Sequence, residues 1–232
     1  MKNLAVLQHT DSEYLGLMED HFESRAIRFT YLRPFTPGAK LPATADGYAG
    51  LVLLGAGPRG VVSGDLLPSL APELRLTAAF LARDLPVIGI GLGAAILAIA
   101  AGGGAEAAPL RCHVGTARRT APDALAGFLP EQYPLVTYLR DRPVPPASAA
   151  ILARDDAGEA ALFQTGARSF GFLGHPGLKT AMIEDLVMEF DDAPDDIAAA
   201  LERIRAVQAA LATALSEIMV GLVAATGLMK PG

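Results

Sequence analysis

Leu85-Pro86-Val87-Ile88-Gly89-Ile90-Gly91-Leu92-Gly93-Ala94-Ala95-Ile96-Leu97-Ala98-Ile99-Ala100 is the stretch on which the fold turns. Its first six residues are apolar, β-rich and opened by a proline, the pattern of a strand buried on both faces. Residues 94–100 have high helix propensity and no breaker, so they are expected to form a helix. A strand passing into a helix through a tight, glycine-flanked turn lifts its central residue above the sheet. Backbone N–H groups then lie close enough to that residue to hold an oxyanion. The residue at this apex is Gly91, which carries nothing to attack with.

Working outward, residues 4–7 read as a short buried strand. Residues 12–24 read as a helix, with Leu15, Met18 and Phe22 at helical spacing. Residues 26–32 are expected as a second strand, followed by a proline-rich loop to Asp46. Residues 48–54 are expected as a third strand and residues 66–82 as a helix. Gly102-Gly103-Gly104 reads as a helix stop. Strands alternating with helices imply a three-layer, doubly wound α/β fold, mainly parallel, with helices on both faces and right-handed crossovers. From 110 to 172 the segments are short and turn-rich, which suggests a small antiparallel extension and a return to the main sheet. The 232 residues, 51% apolar, suit a single domain spanning 1–232.

A C-terminal helical segment at 191–228 is a separate signal. Asp191-Asp192-Ala193-Pro194-Asp195-Asp196 places acids and a proline at a helix start, where the helix dipole favours them. Ile197, Leu201, Ile204, Leu211, Leu215, Ile218 and Leu222 then recur at three- and four-residue spacing, with Gln208 in the gap. This stripe either packs on the chain's own sheet, the preferred reading, or forms a seam for a protein partner or second subunit.

A net charge of −6 and no basic cluster longer than Arg118-Arg119 argue against nucleic acid and anionic membrane as partners. A single cysteine excludes an intramolecular disulfide and fits a reducing compartment. An apolar strand begins directly after Lys2-Asn3, so no signal peptide is expected and the expected location is the cytoplasm. His9 and His21 are isolated; no metal and no cofactor is expected.

Pro86-Val87-Ile88-Gly89-Ile90-Gly91-Leu92-Gly93-Ala94-Ala95 resembles the P-V-L-G-I-C-L-G-x-Q segment of class I glutamine amidotransferases. Leu51-Val52-Leu53-Leu54-Gly55-Ala56-Gly57-Pro58 resembles that family's strand ending in G-G-P, whose loop supplies an oxyanion N–H. Ser169-Phe170-Gly171-Phe172-Leu173-Gly174-His175-Pro176-Gly177 resembles the late strand that carries the family's catalytic His and Glu. The likeness covers essentially the whole chain and is closest to short, stand-alone members. It implies a flavodoxin-like sheet and, for the family, glutamine hydrolysis by a Cys–His–Glu triad.

At the matching positions this chain has Gly91, His175 and Gly177. The family's Gln after the elbow is matched by Ala95, and its substrate-side aromatic-His pair by Tyr138-Leu139. Glutamine hydrolysis needs a thiolate and a base oriented by a third group. The resemblance without the triad therefore implies an inactive amidotransferase-like protein: a binding, regulatory or structural subunit, in a homo-oligomer or docked on another protein. An enzyme of different chemistry, using a pocket above Gly91 with His175, is the alternative. An ordinary glutamine amidotransferase is a third reading. A residual anion site is expected at Gly57, Arg59, Leu92 and Gly93. His175 reads as a polar residue bonded to backbone or water. Cys112, in a strand-like segment, reads as a small buried apolar residue rather than a relocated nucleophile.

Overall fold

The computed structural model describes residues 2–229. Its elements are β1 (Asn3–Leu7), α1 (Met18–Glu23), β2 (Arg28–Leu32), β3 (Gly50–Leu53), α2 (Leu70–Ala82), β4 (Val87–Ile90), α3 (Leu92–Ala100) and β5 (Gly104–Glu106). They continue with β6 (Arg111–Arg119), β7 (Gln132–Leu139), β8 (Arg142–Val144), β9 (Ala150–Arg154), β10 (Ala160–Thr165), β11 (Ser169–Phe172), α4 (Thr180–Glu189) and α5 (Ile197–Ala225). Nine strands form one sheet in the order β2-β1-β3-β4-β11-β10-β9-β6-β7, and β5 pairs with β8 in a separate ribbon. The strands from β2 to β11 are parallel; those from β10 to β7 form the antiparallel extension. This is the flavodoxin-like α/β architecture expected from the sequence. The expected 1–232 span includes Met1 and residues 230–232, which lie outside the described residues.

Period-two alternation divides each central strand between two cores. Leu4, Val6, Val52, Ile88 and Ile90 face a layer built from α1 and α5, through Phe22, Ile218 and Leu222. Ala5, Leu7, Leu51, Leu53 and Val87 face α2 and α3, through Leu76, Phe80 and Ile96. Both faces are covered, which is why the strands read as continuous apolar runs. Burying each Leu, Ile or Phe contributes about 1.5–3 kcal/mol.

Three boundaries differ from expectation, each for a local reason. The helix expected over 12–24 begins only at Met18. Gly16 takes φ +63°, and Leu17 N–H donates to the Gly177 carbonyl at 2.8 Å, so the chain from 12 to 17 is a loop tied to the 175–177 turn. The strand expected from residue 26 starts at Arg28, because Ala26 lies at φ +54°. α2 starts at Leu70 rather than 66, since Leu66 forms an isolated bridge with Gly60.

α5 runs for 29 residues, and residues 191–196 precede it as non-helical chain. Ile204, Leu211, Leu215, Ile218 and Leu222 are buried within the chain, while Ile197 and Leu201 are partly buried against the cluster around Leu178, Met182 and Leu186. The stripe is therefore occupied by the chain's own sheet and by α4. Gln208 closes the start of α4, because its side chain accepts from Thr180 N–H and donates to the Leu178 carbonyl, both at 2.9 Å. By length and composition alone α5 could cross a bilayer, with a mean hydropathy of 1.7 over its most apolar window. Its opposite face, however, carries exposed Glu202, Arg203, Arg205 and Glu217, the pattern of an amphipathic covering helix.

Candidate functional site

β4 turns into α3 at Gly91, with φ +57° and ψ −119°. L residues with a Cβ are strained there, and nucleophile elbows hold a reactive residue under such strain. The Gly91 N–H donates to the Phe172 carbonyl at 2.9 Å, which ties the apex to β11. A Cβ at Gly91 would have only the Gly55 Cα near it, at 3.8 Å. A Cβ at the apex would thus fit without a clash, and no polar side chain among the described residues stands within 4 Å of that point. Gly93 has a different origin: a Cβ there would lie 2.1 Å from the Leu53 carbonyl oxygen. Leu92 and Gly93 open α3, where N–H groups lack an intrahelical acceptor. Ala95 is buried in the core cluster shared with Leu76, Phe80 and Ile96.

The loop after β3 is occupied from within. Gly57 N–H donates to the carboxyl group of Glu13, which comes from the loop of residues 12–17. Gly55 lies against it: a Cβ at Gly55 would sit 2.0 Å from Glu13 Oε1, so the carboxyl group would have to move. Glu13 is buried, and burial pushes its pKa up to about 7, against the opposing pull of the Gly57 N–H and His9. The same loop is fastened to α4, where Ser12 Oγ donates to Glu189 Oε2 at 2.5 Å. Nothing in the sequence singled out Glu13. The expected helix over 12–24 gave Glu13 no role; its burial follows from the loop that Gly16 and the Gly177 contact create.

His175 lies in the turn after β11 and is 7% exposed. Its Nε2 contacts the Tyr14 carbonyl at 2.8 Å, and its Nδ1 contacts the Gly177 N–H at 3.1 Å. A carbonyl only accepts and an N–H only donates, so the ring is the neutral Nε2–H tautomer with both nitrogens committed. Burial lowers its pKa to about 4, although the Tyr14 carbonyl favours the charged form. Gly177 leaves no space for a longer side chain, because a Cβ would come within 2.7 Å of Met18 Cγ and 2.9 Å of the Leu15 carbonyl. Position 177 thus packs against the loop that fastens His175.

Tyr138, on β7, is 7% exposed and donates to the Asp192 carbonyl at 3.4 Å; burial raises its pKa. It packs with Cys112 and Leu186 rather than over the apex. Cys112 is buried, which pushes its thiol up to about 11, so it behaves as an apolar residue. Arg59 pairs with Asp65 at 2.7 Å. Of the expected set of Gly57, Arg59, Leu92 and Gly93, the Gly57 N–H is satisfied by Glu13, and Arg59 commits only Nη1, to Asp65. Among the described residues, no three His, Cys, Asp or Glu side chains gather as metal ligands.

A second buried polar pair went unnoticed in the sequence. His9 Nε2 lies 2.8 Å from Glu73 Oε2, and Nδ1 lies 2.9 Å from the Gly55 carbonyl. Ser69 Oγ donates to the other Glu73 oxygen at 2.5 Å. Burial alone would lower the His9 pKa, but Glu73 and the Gly55 carbonyl together hold it above its ordinary value.

No protein-family model and no curated protein matches the sequence. Solved structures do match in fold. A glutamine amidotransferase from Methylobacillus flagellatus superposes with a TM-score of 0.82 at 22% identity, covering 100% of this chain and 97% of its own. A glutamine amidotransferase from Thermotoga maritima gives a TM-score of 0.77 at 23% identity, with 96% and 98% covered. The described residues have the class I glutamine amidotransferase-like fold.

Proposed function

We propose that this protein is a catalytically inactive representative of the glutamine amidotransferase fold that works by binding, as a regulatory or structural subunit in the cytoplasm. The observation that carries the reading is the apex itself. Gly91 occupies the elbow, and no polar side chain stands within 4 Å of where a side chain would begin. Three further features support it. His175 spends both ring nitrogens on backbone groups, Gly177 is packed where an orienting carboxylate would be needed, and Glu13 holds the Gly57 N–H. Without a nucleophile no acyl-enzyme forms, and without a free imidazole nitrogen no proton leaves one. A partner or second copy would engage surface other than the α5 stripe, which the sheet already covers.

The active-amidotransferase reading is favoured by the descriptions of the two solved neighbours. An enzyme of other chemistry at Gly91 would need polar groups converging on a ligand above the apex, and the His175 ring has both nitrogens bonded to backbone. Incubating the purified full chain with glutamine and measuring glutamate release separates the readings. The expected result is release indistinguishable from buffer. Release at enzymatic rates, abolished in His175→Ala, overturns the proposal.

A further inference from the structure

One strand removed from the elbow, a cavity of about 170 Å3 opens beyond the carboxyl ends of β1 and β2, beside the loop after β3 and the start of α2. Open α/β sheets bind ligands on this edge. The volume is close to that of a cavity that takes benzene (~150 Å3) and below the ~300 Å3 of ordinary ligand pockets. It suits a molecule of about one ring.

The lining divides into two chemistries. Pro34, Phe35 and Leu67 form an apolar wall, and Phe35 is 40% exposed although it is a large aromatic residue. Arg59, Ser69 and His9 supply the polar lining. His9 is tied to the β3 loop through Gly55 and to α2 through Glu73, and the Ser69 hydroxyl is turned to Glu73. Arg59 is the group with capacity to spare. Its Nη1 meets Asp65, whose side chain is 78% exposed, while Nε and Nη2 have no partner among the described residues. An exposed ion pair of this kind holds its partners weakly, and a guanidinium fork is shaped for a planar carboxylate.

We propose that this cavity binds a small monocarboxylate with an apolar body, its carboxylate on Arg59 and its hydrocarbon part against Phe35 and Leu67. The site is distinct from the apex at Gly91 and does not depend on whether that apex is inactive.

Benzoate is a suitable probe, titrated into the full chain and followed by amide chemical shifts. Saturable shifts confined to residues around 9, 35, 59 and 67–69 are expected, with a Kd near ~1 mM, as befits so small a ligand. Arg59→Gln weakens binding at least about ten-fold, as loss of a charge-assisted fork should. Asp65→Asn breaks the ion pair but keeps the guanidinium, and leaves affinity equal or tighter. Benzamide, the same shape without charge, binds more weakly than benzoate. No saturation, shifts elsewhere, or unchanged affinity in Arg59→Gln overturns the site. Inorganic phosphate binding there while benzoate does not overturns the ligand class. Thermal melts of both variants matching the parent confirm that the comparison is between folded proteins.

Discussion

Two glycines separated by a single residue should lose very different amounts of stability on substitution by alanine, and this tests the elbow geometry directly. Gly91→Ala places a Cβ at φ +57°, ψ −119°, with its nearest neighbour 3.8 Å away. The cost is backbone strain alone, about 1–3 kcal/mol. For a domain of this length ~1 kcal/mol moves Tm by about 2–4 °C, so the drop should be about 2–12 °C. Gly93→Ala drives a methyl to within 2.1 Å of the Leu53 carbonyl oxygen, and both partners belong to core elements. α3 would have to lift from β3, a loss in the exceptional range of more than ~4 kcal/mol. Circular-dichroism melts of the two variants provide the assay. Gly91→Cys extends the test to chemistry. It should melt like Gly91→Ala and still release no glutamate, because the His175 nitrogens are bonded to Tyr14 and Gly177. Equal destabilisation at 91 and 93 would refute the elbow, and glutamine turnover by Gly91→Cys would refute the committed imidazole.

The remaining predictions concern buried titratable groups. Glu13 has a folded pKa near 7, above its ordinary value of 4.5, so its stabilising contribution is complete below the ordinary value and is lost as pH rises through about 7. Glu13→Gln should therefore match the parent at pH 4–5 and exceed it by up to about 3 kcal/mol at pH 8, measured by urea unfolding; an equal difference at both pH values would contradict the burial. His175, with a folded pKa near 4, should show the neutral Nε2–H tautomer in 15N spectra from pH 5 to 8. A titration midpoint between 6 and 7 would mean that the ring is free. Asp141 sits at φ +60° and accepts from Val61 and Val62 N–H at 2.8 Å, and from the Ser63 N–H and hydroxyl. Burial would raise its pKa, but these donors outweigh it and hold the carboxyl below its ordinary value. Its contribution is present above the ordinary carboxylate range and lost as pH falls through the folded value. Asp141→Ala should lower the urea midpoint by the equivalent of about 3 kcal/mol at neutral pH, with m unchanged.

The central sheet was legible because both of its faces are buried. Strands such as β3 (Gly50–Leu53) and β4 (Val87–Ile90) then carry no polar side chain, and the glycine-rich turn out of β4 announces α3. The long helix was legible for the same reason, since the spacing of Ile204, Leu211, Leu215 and Ile218 records the surface it covers. The segment from 12 to 17 was not. Leu15, Met18 and Phe22 satisfy a helical period, yet Gly16 and the hydrogen bond from Leu17 to Gly177 break the first turns. The second of those constraints comes from a residue far along the chain, which periodicity cannot register. The positions of Glu13 and His9 were hidden for the same reason, since their partners lie in the loop after β3 and in α2.

This difference bears on how the vacancy at Gly91 is to be understood. His175 joins the 12–17 loop to the turn after β11, Gly177 makes room for that loop, and the loop in turn delivers Glu13 to the Gly57 N–H. Under the proposed inactive reading, sulfur placed at the apex alone is therefore expected to find the His175 nitrogens and the Gly57 N–H already engaged.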